Sequence, residues 1–240
     1  MTAASILFVG LLLGIQHATE ADHLAAVATL AARQSSLAQT IRQGVAWGVG
    51  HTLTLLLFGG AVFLLGRAIS PALEQALETA VGLMLILLGA DVLRRLIRER
   101  IHFHVHRHDE GTAHFHAHGH RGEGRHEQSP HHHSHASRWP LRALVVGMMH
   151  GLAGSAALVM LSMNAEPSLP LGLGYIAVFG LGSILGMAAL SVMIALPLRL
   201  SAGYLTGLHR TMTALVGLFS CALGVAMVVE IGYLRNLLIG

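Results

Sequence analysis

The run His17-Ala18-Thr19-Glu20-Ala21-Asp22-His23 sets two imidazoles and two carboxylates among leucines and alanines. Imidazole nitrogen suits nickel, cobalt, zinc or copper in preference to magnesium or calcium, and a nearby carboxylate either ligates or holds the second ring nitrogen in one tautomer. Ionisable groups at membrane depth mark ion or substrate paths. On a continuous helix His17, Glu20 and His23 share an arc of roughly 120° and Asp22 points elsewhere. A helix unwound around Ala18 to Ala21 would instead bring Asp22 and main-chain carbonyls to the ion. Both arrangements stay open, so either Glu20 or Asp22 is the candidate carboxylate.

Three more histidines lie in or beside apolar stretches. His51 opens a polar turn, His51-Thr52-Leu53-Thr54, and the preceding Gly48 and Gly50 let a neighbouring helix come close enough for His51 to reach the first cluster. His150 ends Gly147-Met148-Met149-His150, which matches Gly14-Ile15-Gln16-His17. Taken alone, each would serve equally well as a hydrogen bond between helices. Their company with His17 and His23 turns the reading to metal ligation. His209, beside Arg210, reads as interfacial, and Asp91 as an ion-pair partner of the adjacent arginines. Methionines 148, 149, 160 and 163 read as core filler, Thr54 and Ser155 as bonding their own helix, and Cys221 as a small buried hydrophobe.

The elements that must carry these residues are membrane helices. The chain is 53% hydrophobic and 11% charged over 240 residues, with mean hydropathy +0.62, far from a soluble domain. Six apolar segments reach spanning length: Ala4 to Ala32, Gly44 to Gly66, Ala76 to Leu93, Leu141 to Met163, Leu171 to Leu196 and Leu208 to Tyr233. The first is over-long, with its polar cluster in the middle, and should tilt or break there. The expected fold is all-α: a polytopic membrane protein of six transmembrane helices. No cleavable signal is evident. All fifteen basic residues are arginine; thirteen fall in the first, third and fifth connections and only Arg67 and Arg235 on the other side. The positive-inside rule puts both termini outside the cytoplasm, in a bacterial cytoplasmic membrane. The basic isoelectric point thus reads as topology, and no nucleic-acid partner is expected.

Glycines recur between the halves. Gly14 pairs with Gly147, Gly48 and Gly50 with Gly180 and Gly182, Gly82 and Gly89 with Gly217 and Gly224, at nearly constant offset, with His51 facing Ser183 in the alignment. Three spans per copy is odd, so the second copy would be inverted: a 3+3 inverted repeat, residues 1–98 and 139–240, with a site near the midplane. Between them, residues 99–138 hold thirteen histidines from His102 to His135 and few aliphatics. This cytoplasmic loop should be disordered without metal and bind divalent ions with little selectivity; a pH-responsive linker is the plainer alternative.

His17-Ala18-Thr19-Glu20-Ala21-Asp22-His23 resembles the histidine, four residues, aspartate, histidine signature of the nickel/cobalt transporter family, and the chain is similar to its shorter six-span members. The resemblance implies a permease for Ni²⁺ or Co²⁺ in which His17, Asp22 and His23 are essential. It departs at the fourth span, where His150-Gly151-Leu152-Ala153-Gly154-Ser155 stands without a second acidic signature. The expected function is secondary transport, in the direction of uptake, through His17, His23, Asp22 or Glu20, His51 and His150. The metal is cargo, not a resident cofactor, and no other cofactor or enzymatic activity is expected. The chain has no lysine and no phosphate-binding Gly-x-x-x-x-Gly-Lys loop, so a gradient or a separate partner must drive it. A cytosolic metallochaperone or a second copy of the chain are the protein partners such a role implies. The alternatives are efflux, a metal-binding accessory or sensor that moves nothing, and a membrane acyltransferase in which His17 is general base and Asp22 orients it.

Overall fold

The computed structural model describes residues 2–34, 36–65, 70–98, 102–107, 113–118, 140–153, 169–204 and 206–239. Helix α1 spans Ala3–His17, and its first turn is capped by Thr2, whose hydroxyl accepts from the Ser5 amide at 3.3 Å. It ends because Ala18-Thr19-Glu20 closes in tight turns. The Thr19 amide and hydroxyl both donate to the Gln16 carbonyl (2.9 and 2.6 Å), and the Glu20 amide donates to His17. Such bonds satisfy the last carbonyls of a helix while turning the chain out of it. Glu20 is extended and opens α2, Ala21–Ala31, which departs from α1 at 58°. The over-long first segment therefore breaks at its polar cluster.

Ser36 caps α3, Leu37–Thr54. A π-helical turn at Leu55–Gly59 carries it into α4, Gly60–Leu65. Helix α5 covers Pro71–Arg98, starting with the proline that suits a first helical position. Residues His102–Arg107 (β1) and Ala113–His118 (β2) pair antiparallel, His102 opposite His118. That ladder lies in the stretch expected to lack order; the longest remainder of that stretch, 119–138, is outside the described residues. Helix α6 is Leu141–Ala153, α7 Leu169–Tyr204 with Pro197 inside, and α8 Thr206–Ile239. Of the expected fourth segment, only the part up to Ala153 is described, which leaves Ser155, Met160 and Met163 outside.

Among the described residues, three helices are long and apolar enough to cross a membrane, Pro71–Arg98, Pro170–Ser201 and Gly207–Tyr233, or four if the bent α1–α2 pair is one crossing. The outer surface carries exposed Leu57, Leu64, Leu87, Met193 and Val229. Water would disfavour such a surface and a bilayer accepts it, as befits a membrane protein.

Close backbone approach organises the bundle, and glycine makes it possible. Helices α3 and α7 lie antiparallel: Gly44 meets Met187 and Ser191, Gly48 meets Ile184, and the Thr52 hydroxyl donates to the Gly180 carbonyl at 3.1 Å. Helix α1 lies on α7, where a Cβ on Gly14 would overlap the Phe179 carbonyl and one on Gly182 the Leu11 carbonyl. Helix α6 lies on α3 through Gly147 against the Trp47 carbonyl and Gly50 against the Leu144 carbonyl. Helices α5 and α8 form a second antiparallel pair, Gly82 against Gly224 and Gly89 against Gly217. The Ser220 hydroxyl donates to the Leu85 carbonyl at 2.9 Å, and the Cys221 thiol faces the Ile86 carbonyl. Trp47, Leu85, Met187 and Val27 lie in the buried core between these pairs.

Candidate metal centre

The break after α1 puts His17 on the last residue of one helix, Asp22 and His23 in the first turn of the next, and Glu20 between them. The two elements use the break electrostatically: the carbonyl end of α1 favours a cation, and the amide end of α2 favours the Asp22 carboxylate. Asp22 accepts from the His23 amide at 2.8 Å. Its Oδ1 also lies 2.9 Å from His23 Nδ1, and its Oδ2 lies 3.2 Å from His150 Nε2. One carboxylate thus fixes two imidazoles from different helices. Glu20 does the same for His17, Oε1 to Nδ1 at 2.9 Å, from a more exposed position.

Helix α3 brings His51 to the same place, because Gly50 admits α6 and Gly48 admits α7. The glycines act as expected, although the helices that approach them are α6 and α7, not the first span. Ring centroids lie 4.3 Å apart for His17 and His23, 5.2 Å for His51 to each of these, and 4.7 Å for His23 and His150. His23, His51 and His150 are about 99% buried or more, and the His17 side chain is 11% exposed. All six residues singled out in the sequence therefore converge on one centre. His209 stands apart, with Nδ1 2.9 Å from the Leu198 carbonyl.

The nitrogens left over define the chemistry. His17 Nε2, His23 Nε2, both nitrogens of His51 and His150 Nδ1 are buried with no hydrogen-bond partner among the described residues. A buried polar atom without a partner costs about 1–3 kcal/mol, and a divalent cation would supply the missing partner. Among the described residues, two sets have ligand atoms within 4.8 Å of one another: His17, His23 and His51, and Asp22, His23 and His150. In the first set, His17 and His23 each present a free Nε2 while a carboxylate holds their Nδ1, the arrangement that fixes ring orientation and raises basicity at metal sites. Both carboxylates therefore lie at the centre, Glu20 beside His17 and Asp22 beside His23 and His150, and Asp22 is also a member of the second candidate set.

Two rings missed by the sequence reading complete the walls. Trp47 stacks 5.5 Å from His23 and stands edge-on to His150 at 5.4 Å, and Phe179 lies 5.3 Å from His17. Their only sequence signal is position, one helical turn before His51 and before Ser183. Asp91 lies away from this centre and is more than one surface pair: it meets Arg33 after α2, Arg95 on α5 and Arg142 on α6.

No family model and no solved structure matches the chain. The urease accessory protein UreH of Bacillus sp. (strain TB-90) is 34% identical over 233 residues, covering 97% of this chain and 94% of the relative. That likeness spans nearly the whole length of both chains and agrees with the resemblance to short nickel/cobalt transporters. The chain belongs to the family of the urease accessory protein UreH.

Proposed function

We propose that this protein is a secondary transporter for Ni²⁺ or Co²⁺ in the bacterial cytoplasmic membrane, working in uptake. The observation that carries the reading is the trio His17, His23 and His51: buried imidazole nitrogens without partners, mutually within ligand distance, two of them held by carboxylates. Three nitrogen donors in an apolar bundle select a borderline transition metal over magnesium or calcium. The relative's name, a urease accessory protein, fits a chain that supplies nickel.

Six crossings in a 3+3 inverted repeat are the architecture this reading uses. They would be α1 with α2, α3 with α4, α5, α6 with the residues that follow it, α7 and α8. Reciprocal contacts support the repeat: Gly14 meets the Phe179 carbonyl as Gly147 meets that of Trp47, and Gly182 meets Leu11 as Gly50 meets Leu144, each pair of equivalents 132 or 133 positions apart. The arginine distribution supports a cytoplasmic His-rich loop, which would take up imported metal. An acyltransferase would need Asp22 to orient His17; the Asp22 oxygens meet His23 and His150 and Glu20 meets His17, which favours the transporter.

The test is flux of Ni²⁺, Co²⁺ and Zn²⁺ into proteoliposomes holding purified protein, wild type against His17→Ala and His23→Ala. The expected outcome is nickel or cobalt flux that both substitutions abolish. Metal binding without flux in correctly inserted wild type would leave the accessory reading in its place.

A further inference from the structure

We infer that Trp47 and Phe179 are the two gates of the ion path, one on each side of the histidine centre. The inference rests on the transporter reading and adds residues that reading does not use. Helices α3 and α7 are antiparallel with Gly48 beside Ile184 and Thr52 beside Gly180. That register places Ser183 level with Val49, Phe179 with Leu53 and Tyr175 with Leu57. Along the pair the order is therefore Gln43, Trp47, Ser183, His51, Phe179, Tyr175. The two rings bracket the centre, about 9 Å apart along the axis at about 1.5 Å per residue.

Each ring closes the centre from its own side. Trp47 is 0% exposed against His23 and His150, and Phe179 is 2% exposed against His17. Beyond each ring, one helical turn further out on the same face, comes a polar atom that an apolar bundle has no reason to keep. Gln43 Oε1 and Tyr175 Oη are both buried with no hydrogen-bond partner among the described residues. Unpartnered polar atoms in this place are accounted for by an ion that passes them. A path then runs from Gln43 past Trp47 to the histidines, and from the histidines past Phe179 to Tyr175.

Aromatic rings suit the task. A rotation about χ1 clears a large cross-section, and the ring face tolerates a cation sliding past it. With both rings closed the structure is the occluded form. Alternating access requires that one swings while the other stays, so the α3 ring serves one face of the membrane and the α7 ring the other.

Occlusion is read directly from the rate at which purified protein, loaded with radioactive nickel, releases it after free ion is removed. Trp47→Ala and Phe179→Ala should each speed release at least about 10-fold, by more than the loss of equilibrium affinity measured on the same variant, because an opened gate speeds entry as well as exit. Trp47→Phe and Phe179→Tyr should restore slow release. Where an alanine variant does not fold, Trp47→Leu and Phe179→Leu leave a smaller cavity and carry the same expectation. In a Cys221→Ala background, Gln43→Cys and Tyr175→Cys should react with an impermeant thiol reagent from opposite faces of the vesicle during turnover. Folded variants that bind nickel normally and release it at the wild-type rate would overturn the gates alone, as would two cysteines reacting from one face or from neither. A wild type that holds no nickel would overturn the metal reading beneath them.

Discussion

The two antiparallel pairs, α3 with α7 and α5 with α8, are built by the same device and put to different use. Both approach through glycine, and both add a hydroxyl donating to a facing carbonyl, Thr52 to Gly180 and Ser220 to Leu85. In α5–α8 that hydroxyl and the Cys221 thiol each meet a carbonyl of the facing helix. In α3–α7 the seam is flanked by His51, Ser183, Trp47 and Phe179, with α1, α2 and α6 adding histidines and carboxylates around it. Glycine packing is thus a general way to bring backbones together, and what makes one pair a centre is the cluster of unpartnered imidazole nitrogens beside it. The α5–α8 pair reads as scaffold and the α3–α7 pair as the working seam.

Removing a ligand should separate the two pairs most sharply. His23 is shared by both candidate ligand sets, so His23→Ala should cut nickel affinity by more than about 100-fold, beyond the loss typical of an outer-shell residue. Equilibrium dialysis measures it, and near-normal affinity would remove His23 from the centre. Asp22→Asn keeps size but loses the charge that holds His23 and His150, and should cost about 10–100-fold. Glu20→Gln, from its exposed position, should cost less than Asp22→Asn in the same assay.

Acidification should act on one pair only. Neutral imidazole binds metal and its protonated form does not, so affinity falls as the solution is acidified. Titration calorimetry carried from pH 8 down to the lowest pH at which the protein stays folded would follow it, and a flat profile over that whole range would argue against imidazole ligation. In the scaffold pair, Gly82→Ala should lower thermal stability in detergent by about 1–3 kcal/mol through overpacking, with affinity per folded molecule unchanged. Gly147→Ala should lower both, because it pushes α6 and His150 away from Trp47. The smallest effect is Ser220→Ala, about 1 kcal/mol of stability and no change in binding.

Much of the centre was legible because histidine and carboxylate in an apolar run have few uses, and His17, Glu20, Asp22, His23, His51 and His150 all converge. The break after His17 was anticipated as one of two options. It could not be chosen from the run itself, since the deciding bonds are local closures by Thr19 and Glu20. The roles of the carboxylates were not legible either, because Asp22 reaches His150 across 128 positions of sequence. Trp47 and Phe179 escaped notice for a simpler reason: an aromatic residue in an apolar helix is ordinary until its neighbours are known. Asp91 was read as one ion pair because two of its three arginines come from other elements.

The π turn at Leu55–Gly59 carries a lesson about chain length. A π turn takes up one residue more than an α-helix would need over the same rise, and resumes the helix beyond it in unchanged phase. Here it sits between His51, which faces the centre, and Gly60, whose Cβ position lies 3.4 Å from Leu173. Loss of one codon among Leu55, Leu56 and Leu57 would relax the turn to a regular helix and leave both contacts in place. Loss of one codon between Gly44 and His51 would rotate one side of the helix by about 100° against the other. Single-residue deletions scanned along this helix should therefore be tolerated in one short window, just past the last histidine it contributes.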